Sequence, residues 1–263
     1  MTADLDVINT WTNPNPGLRR RTYEQVPRRG GRWRPTWTVD GVTINRPGWD
    51  YDRNQFTGVR NNGTAWTADF TPGLLYTIAS QVRGWCWPRQ GGTLYELAQA
   101  STGQVVEIGS CFGLSAVWTG WGIRTSSDPD RRLHCVDTWH SLDVRGDGSP
   151  AGKSSQPEFI QNMTYTGLAY HTCLHQMLSE QAAATWDEGP VGMIYIDGWH
   201  TYAMAKADHL SWLPHLTPGA VVAFDDCSPA WPGVLRYQRE LAGRGDHELI
   251  GRADSMLTWR YRP

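Results

Sequence analysis

Two apolar segments of this chain each run into carboxylates. Ile194-Tyr195-Ile196 leads to Asp197-Gly198-Trp199-His200, and Val221-Val222-Ala223-Phe224 leads to Asp225-Asp226-Cys227. If both segments are strands of one sheet, three acids crowd a single edge and repel one another unless a cation neutralises them. An all-oxygen set of Asp197, Asp225 and Asp226 suits Mg²⁺, Mn²⁺ or Ca²⁺ better than zinc or copper. Acids after a strand also act as caps or salt-bridge partners, so that reading stays open. His200 alone would read as a surface or capping histidine.

A second constellation is Val105-Val106-Glu107-Ile108-Gly109-Ser110-Cys111-Phe112-Gly113, a strand that turns through glycines into a helix near Leu114. Glycine lets the backbone turn tightly and approach a ligand, and a helix N-terminus offers free N–H groups. The third glycine of a dinucleotide fingerprint is missing, which weighs against a nicotinamide oxidoreductase. A glycine-rich turn with no ligand remains the alternative. Leu133-His134-Cys135-Val136-Asp137 closes another strand on an acid, placed either to accept hydrogen bonds from a ribose or to cap the next helix.

The elements that must position these residues are legible in the pattern after Gln104. Short β-rich runs at 105–109, 133–137, 172–177, 193–197 and 220–225 alternate with helical stretches, the signature of a parallel sheet flanked by helices. Several runs end on an acid at the carboxyl edge, where open α/β sheets bind ligands. Thr71-Pro72 predicts a helix through about Val82, and Gly92-Thr93 another through about Ala100. Residues 1–70 read as an irregular, partly extended N-terminal arm or cap on a catalytic domain spanning 71–263, with a hairpin around Asp40-Gly41 in Trp37 to Ile44. The stretch Gly146 to Ser155 reads as a loop near the acidic edge, able to serve as a lid.

Bulk properties narrow the function class. Hydrophobic residues make up 40% and charged residues 19% of 263 residues, enough for one sizeable α/β domain. A formal net charge of −2 gives no global attraction to nucleic acid or an anionic membrane, which makes small-molecule chemistry the default. No run approaches ~18 apolar residues, so no membrane span is expected. Met1 to Thr10 lacks the basic and apolar regions of a signal peptide, so a cytoplasmic protein is expected. Five cysteines without a C-x-x-C spacing predict reduced, mostly buried thiols.

The ordered set from Glu107 to Cys227 resembles the metal-dependent class I O-methyltransferases, a group that includes catechol O-methyltransferase, macrolide-sugar O-methyltransferases and cephalosporin-hydroxylase-like proteins. The residues that carry the resemblance are Ile196-Asp197-Gly198-Trp199-His200-Thr201-Tyr202, then Asp208, Trp212, Leu213, Thr217-Pro218-Gly219 and Asp225-Asp226. It implies a Rossmann-like, doubly wound and mostly parallel sheet, with S-adenosylmethionine and Mg²⁺ or Mn²⁺ as cofactors. Glu107, Gly109, Ser110 and Gly113 would form the methionine and ribose side of the cofactor site, Asp137 would meet the ribose, and Ser179 and Trp199 would lie toward the adenine. Asp197, Asp225 and Asp226 would hold the metal, and His200 falls where such enzymes place a general base. Asp226 stands where the catechol enzymes carry asparagine, which shifts the resemblance toward the sugar-modifying group. The expected substrate is then a small-molecule hydroxyl, a sugar or other diol of natural-product biosynthesis.

Arg46 to Thr64, with Trp49, Asp50, Tyr51 and Asp52, and the loop 141–155 are expected to line the acceptor pocket. The arm is expected to wrap a neighbouring copy in a homo-oligomer. Two rival readings are a nucleic-acid methyltransferase working through Arg19-Arg20-Arg21, Arg28, Arg29, Arg32 and Arg34, and a non-catalytic protein that keeps the fold.

Overall fold

The computed structural model describes residues 36–128, 130–140 and 154–263. The N-terminal arginine run and most of the expected lid therefore lie outside the described residues.

Residues 36–69 correct the expectation of an irregular extension. They form a four-stranded antiparallel meander, β1 (Thr36–Val39), β2 (Val42–Asp50), β3 (Gln55–Arg60) and β4 (Ala65–Asp69), paired in chain order. The Asp40-Gly41 hairpin occurs as expected, both residues taking the positive φ of a tight two-residue turn (49° and 75°). The strand signal is hard to read in the sequence because the apolar residues on the buried face are mostly single tryptophans among arginines, asparagines and glycines. Trp37, Ile44, Trp49, Phe56 and Trp66 all face inward.

Helix α1 (Pro72–Ala79) starts where Thr71 and Pro72 predict, with the Thr71 hydroxyl accepting the Leu74 N–H at 3.0 Å. Helix α2 (Pro88–Ala100) starts earlier than Gly92 because Gln90 Oε1 accepts the Trp87 N–H at 2.8 Å and closes its first turn. The remaining elements are β5 (Gln104–Ile108), α3 (Leu114–Arg124), β6 (Leu133–Val136), α4 (Gln156–Tyr165), β7 (Thr172–His175), α5 (Ser179–Ala184), β8 (Val191–Ile196), α6 (Tyr202–Trp212), β9 (Leu216–Phe224), α7 (Pro232–Ala242), β10 (His247–Ala253) and β11 (Met256–Tyr261). They build the expected α/β architecture around a seven-stranded sheet in the order β10-β11-β9-β8-β5-β6-β7. Strands β5 to β9 pair in parallel, whereas β10 and β11 are antiparallel additions.

The sheet is sandwiched. Val106, Ile194 and Val222 pack with α6 and α7 residues such as Trp212, Val234 and Leu241, while Val105, Met193 and Tyr195 pack on the opposite side with α2 and α3 residues. β8 is buried along its whole length, as a parallel strand covered on both faces must be. The strand order reverses at β5, and the crevice outside the carboxyl ends of β5 and β8 is where such a sheet receives a ligand. No helix among the described residues is long and apolar enough to cross a membrane. All five cysteines are free thiols, with Cys135 and Cys227 buried.

Candidate active site

The parallel ladder itself assembles the site. The residue after each strand donates its N–H to the neighbouring strand's end: Asp137 to His175 O at 3.2 Å, Gly109 to Val136 O at 3.0 Å, Asp197 to Ile108 O at 2.9 Å and Asp225 to Ile196 O at 3.0 Å. Residues distant in sequence are therefore brought level along one edge.

Gly109 sits at φ +88°, and a Cβ there would stand 2.1 Å from the Asp197 carbonyl oxygen. The turn after β5 and the end of β8 thus touch through a residue that has to be glycine. Cys111, also at positive φ, donates its N–H to Asp137 Oδ2 at 2.8 Å, and Trp139 N–H reaches Asp137 Oδ1 at 2.7 Å. Asp137 fastens the glycine turn to the β6 end while remaining partly exposed at the edge. Burial raises its carboxyl above the usual range, opposed by those backbone donors. Gly113 caps α3 from the left-handed region. The Ser110 hydroxyl is buried in the turn, where it meets the Cys135 thiol.

Two residues expected at the cofactor are committed elsewhere. Glu107 is fully buried, accepts the Ser115 hydroxyl and lies against the Cys135 thiol. Burial pushes its carboxyl up to about 8, so it is protonated at neutral pH. Ser179 opens α5 and its hydroxyl accepts Trp212 Nε1 at 3.0 Å, tying α5 to α6. Trp199 projects from the β8–α6 turn, 44% exposed.

At the acidic edge, Asp197, His200 and Asp226 converge, with one donor atom from each all within 4.8 Å of one another. His200 Nε2 lies 3.0 Å from Asp226 Oδ2 and 3.8 Å from Asp197 Oδ1. Donors that share an octahedral cation at about 2.1 Å stand about 3–4.2 Å apart, so this spacing fits Mg²⁺ or Mn²⁺. Asp226 holds a left-handed backbone, φ 54°, which directs its carboxylate toward His200.

The structure does not bring Asp225 into this group. Its Oδ1 accepts from Gln90 Nε2 at 2.6 Å, Ser255 Oγ at 2.7 Å and the Asp226 N–H at 2.6 Å, and its Oδ2 from the Tyr195 phenol at 3.0 Å. The physical reason is simple: four donors face this buried carboxylate from the protein side. Tyr195 is itself fully buried, and burial first, then the Asp197 and Asp225 charges, raises its phenol well above its usual value and keeps it a donor.

Sequence reasoning missed Gln90, Tyr195, Ser255 and Trp231. Trp231 packs its ring 4.3 Å from that of His200 and stays 38% exposed beside it. None carries a spacing signal, because each reaches the site through tertiary packing. Arg46 to Thr64 do not line this edge at their aromatic end: Trp49 and Asn54 pack on Arg124, the last residue of α3, opposite its Gly113 end.

Residues 106–227 match the family model described as a methyltransferase domain. This segment, a little under half of the chain, is similar to a methyltransferase domain. Its match to uncharacterized protein y4gI of Sinorhizobium fredii is 28% identical over 143 residues, covering 53% of this chain and only 15% of that protein. Among solved structures, the O-methyltransferase TomG of Streptomyces achromogenes, bound to S-adenosylmethionine, aligns at TM-score 0.53 and 18% identity, covering 74% of this chain and 92% of its own. CalS11, a TDP-rhamnose 3'-O-methyltransferase of calicheamicin biosynthesis, aligns at TM-score 0.51 and 18% identity, covering 73% and 86%. The α/β fold of this chain is thus like that of these solved O-methyltransferases.

Proposed function

We propose that the protein is an S-adenosylmethionine-dependent O-methyltransferase that uses a divalent cation, Mg²⁺ or Mn²⁺, to act on a hydroxyl of a small molecule, a sugar or other diol of natural-product biosynthesis. The observation that carries this reading is the convergence of Asp197, His200 and Asp226 on the edge that also holds the glycine turn and Asp137. The likeness to CalS11, a TDP-rhamnose 3'-O-methyltransferase, supports a sugar hydroxyl as acceptor, and TomG, involved in tomaymycin synthesis, supports a small-molecule one.

When bound, S-adenosylmethionine supplies the methyl group, and the cation lowers the acceptor hydroxyl's pKa and orients it. The chain does the rest by placement. The turn 109–113 and Asp137 would hold the cofactor at the ends of β5 and β6. Asp197 and Asp226 would hold the cation. His200 would take the acceptor's proton, and the Asp226 and Asp197 carboxylates, 3.0 and 3.8 Å from its Nε2, would balance the imidazolium charge. Trp231 fixes the imidazole by packing on its ring.

The same donor distances favour a second assignment, in which His200 is the third ligand of the cation. Isothermal titration of S-adenosylmethionine, with and without Mg²⁺ and a panel of sugar-diol and catechol acceptors, tests the reading. Metal-dependent acceptor binding on top of cofactor binding is the expected result, and absence of cofactor binding refutes it. Mn²⁺ affinity of His200→Ala separates the two roles of the histidine: unchanged for a base, weakened for a ligand.

A further inference from the structure

We infer that Gln90, acting with Ser255 and Tyr195, is a positioning residue for the cation site, and that Asp225 is the buried member through which it acts. The inference rests on the cation reading above and gives Asp225 a different task from the one its sequence position suggests.

Gln90 lies on α2, remote from both acidic strands in sequence, yet is fully buried. Its amide orientation is set by chemistry: Oε1 accepts the Trp87 N–H at 2.8 Å, so the NH₂ group must face the other way, where it meets Asp225 Oδ1 at 2.6 Å and Ser255 Oγ at 3.0 Å. The Ser255 hydroxyl donates to the same carboxylate oxygen, and the Ser255 carbonyl accepts the Cys227 N–H at 2.8 Å. Both ends of the turn 225–227 are thereby pinned by Ser255.

Between those pins sits Asp226, whose own N–H is bound to Asp225 Oδ1 at 2.6 Å. Left-handed backbone is unfavourable for an unsupported non-glycine residue, and here the Asp225 carboxylate over-determines it. Asp225 receives four protein donors, three on Oδ1 and one on Oδ2, so Oδ1 is fully engaged from within. Its charge then serves to hold the Asp226 backbone in the one conformation that aims Oδ2 at His200. Tyr195 extends the link to the other acid, with its phenol 3.0 Å from Asp225 Oδ2 and 3.4 Å from Asp197 Oδ2. Groups that orient metal ligands in this way are typically worth about 10–100-fold in metal affinity.

The test is Mn²⁺ binding to the full-length protein, measured by titration calorimetry and by loss of the free-ion electron paramagnetic resonance signal, with S-adenosylhomocysteine binding measured in parallel. Gln90→Leu and Ser255→Ala should each weaken Mn²⁺ about 10–100-fold while leaving S-adenosylhomocysteine affinity within about twofold, and Ser255→Thr, which keeps the hydroxyl, should recover most of the loss. Retained S-adenosylhomocysteine binding certifies the fold. If Gln90→Leu fails to fold, the Ser255 pair decides. Should the wild type bind Mn²⁺, Asp226→Asn abolish it, and the folded Gln90 and Ser255 variants bind as tightly as wild type, the positioning role falls while the cation reading stands. A wild type that binds no Mn²⁺ overturns both.

Discussion

Two residues of the site occupy opposite electrostatic situations, and each yields a prediction. His200 lies part-exposed between two carboxylates, its Nε2 3.0 Å from Asp226 Oδ2 and 3.8 Å from Asp197 Oδ1. His200→Ala should lower kcat by about 10²–10⁴-fold with S-adenosylmethionine affinity unchanged, checked by single-turnover methyl transfer and calorimetry; an unaltered kcat would leave deprotonation to other groups. Glu107 is the contrary case, a carboxyl with no cation near it, held protonated inside the protein with its pKa raised by burial to about 8. The folded state keeps a proton that the unfolded chain releases near pH 4.5, so stability is full below that value and is lost as pH rises toward about 8, by at most about 1.4 kcal/mol per pH unit. Glu107→Gln keeps the shape without the ionisation, so its melting temperature should exceed that of wild type at pH 8 and match it near pH 5. Equal melting curves at both pH values would show that Glu107 ionises freely in the fold.

At the scale of elements, the strand ends are the unit that matters, because the parallel ladder sets Asp137, Gly109, Asp197 and Asp225 level by backbone hydrogen bonds alone. Local sequence therefore reveals much of this edge. Four of the five parallel strands, β5, β6, β8 and β9, are followed directly by a glycine or an acid, and a two-residue hairpin turn needs residues that accept positive φ, so both could be read locally. Gln90 and Ser255 could not, since their contribution depends on α2 and β11 packing beside β9. Nor could the outward or inward aim of each acid: Asp225 and Asp226 are adjacent and chemically identical, and only the left-handed backbone at Asp226 distinguishes the one bound by protein donors from the one that faces His200. Gly109 tests this account directly. A methyl group there would stand 2.1 Å from the backbone oxygen of Asp197, which no side-chain rotation relieves, and the backbone at φ +88° is strained for alanine as well. Gly109→Ala should therefore separate the turn after β5 from the end of β8, cost several kcal/mol by analogy with overpacked cores, and weaken cofactor and Mn²⁺ binding together. Loss of one without the other, in titrations of the folded variant, would show that the two subsites are not joined through this contact.

Across the whole molecule, the meander of residues 36–69 and the α/β domain share one core. Trp121 of α3 is the junction: it stacks on Phe70 at 4.1 Å, meets Trp49 edge-on at 5.1 Å and Phe56 at 5.5 Å, and gives its indole N–H to Thr166 O at 3.0 Å. Arg124, one turn on, lies over the Trp49 ring and donates to Gly167 O and Asn54 Oδ1, each at 2.6 Å. Gly167 completes the fit, because a Cβ there would stand 2.6 Å from the Trp49 ring. The meander is thus fastened to the end of α3 farthest from the glycine turn, a place suited to stabilising the helix that begins at the cofactor site rather than to touching an acceptor. Truncating the junction separates these roles. Trp121→Ala should destabilise the protein by about 3–5 kcal/mol, the usual loss for a buried tryptophan, and leave an indole-sized gap between meander and domain. Below its lowered melting temperature the variant should retain wild-type KM for the acceptor while losing heat stability. A selective rise in KM at unchanged stability would instead place the meander in acceptor recognition and return Arg46 to Thr64 to the pocket.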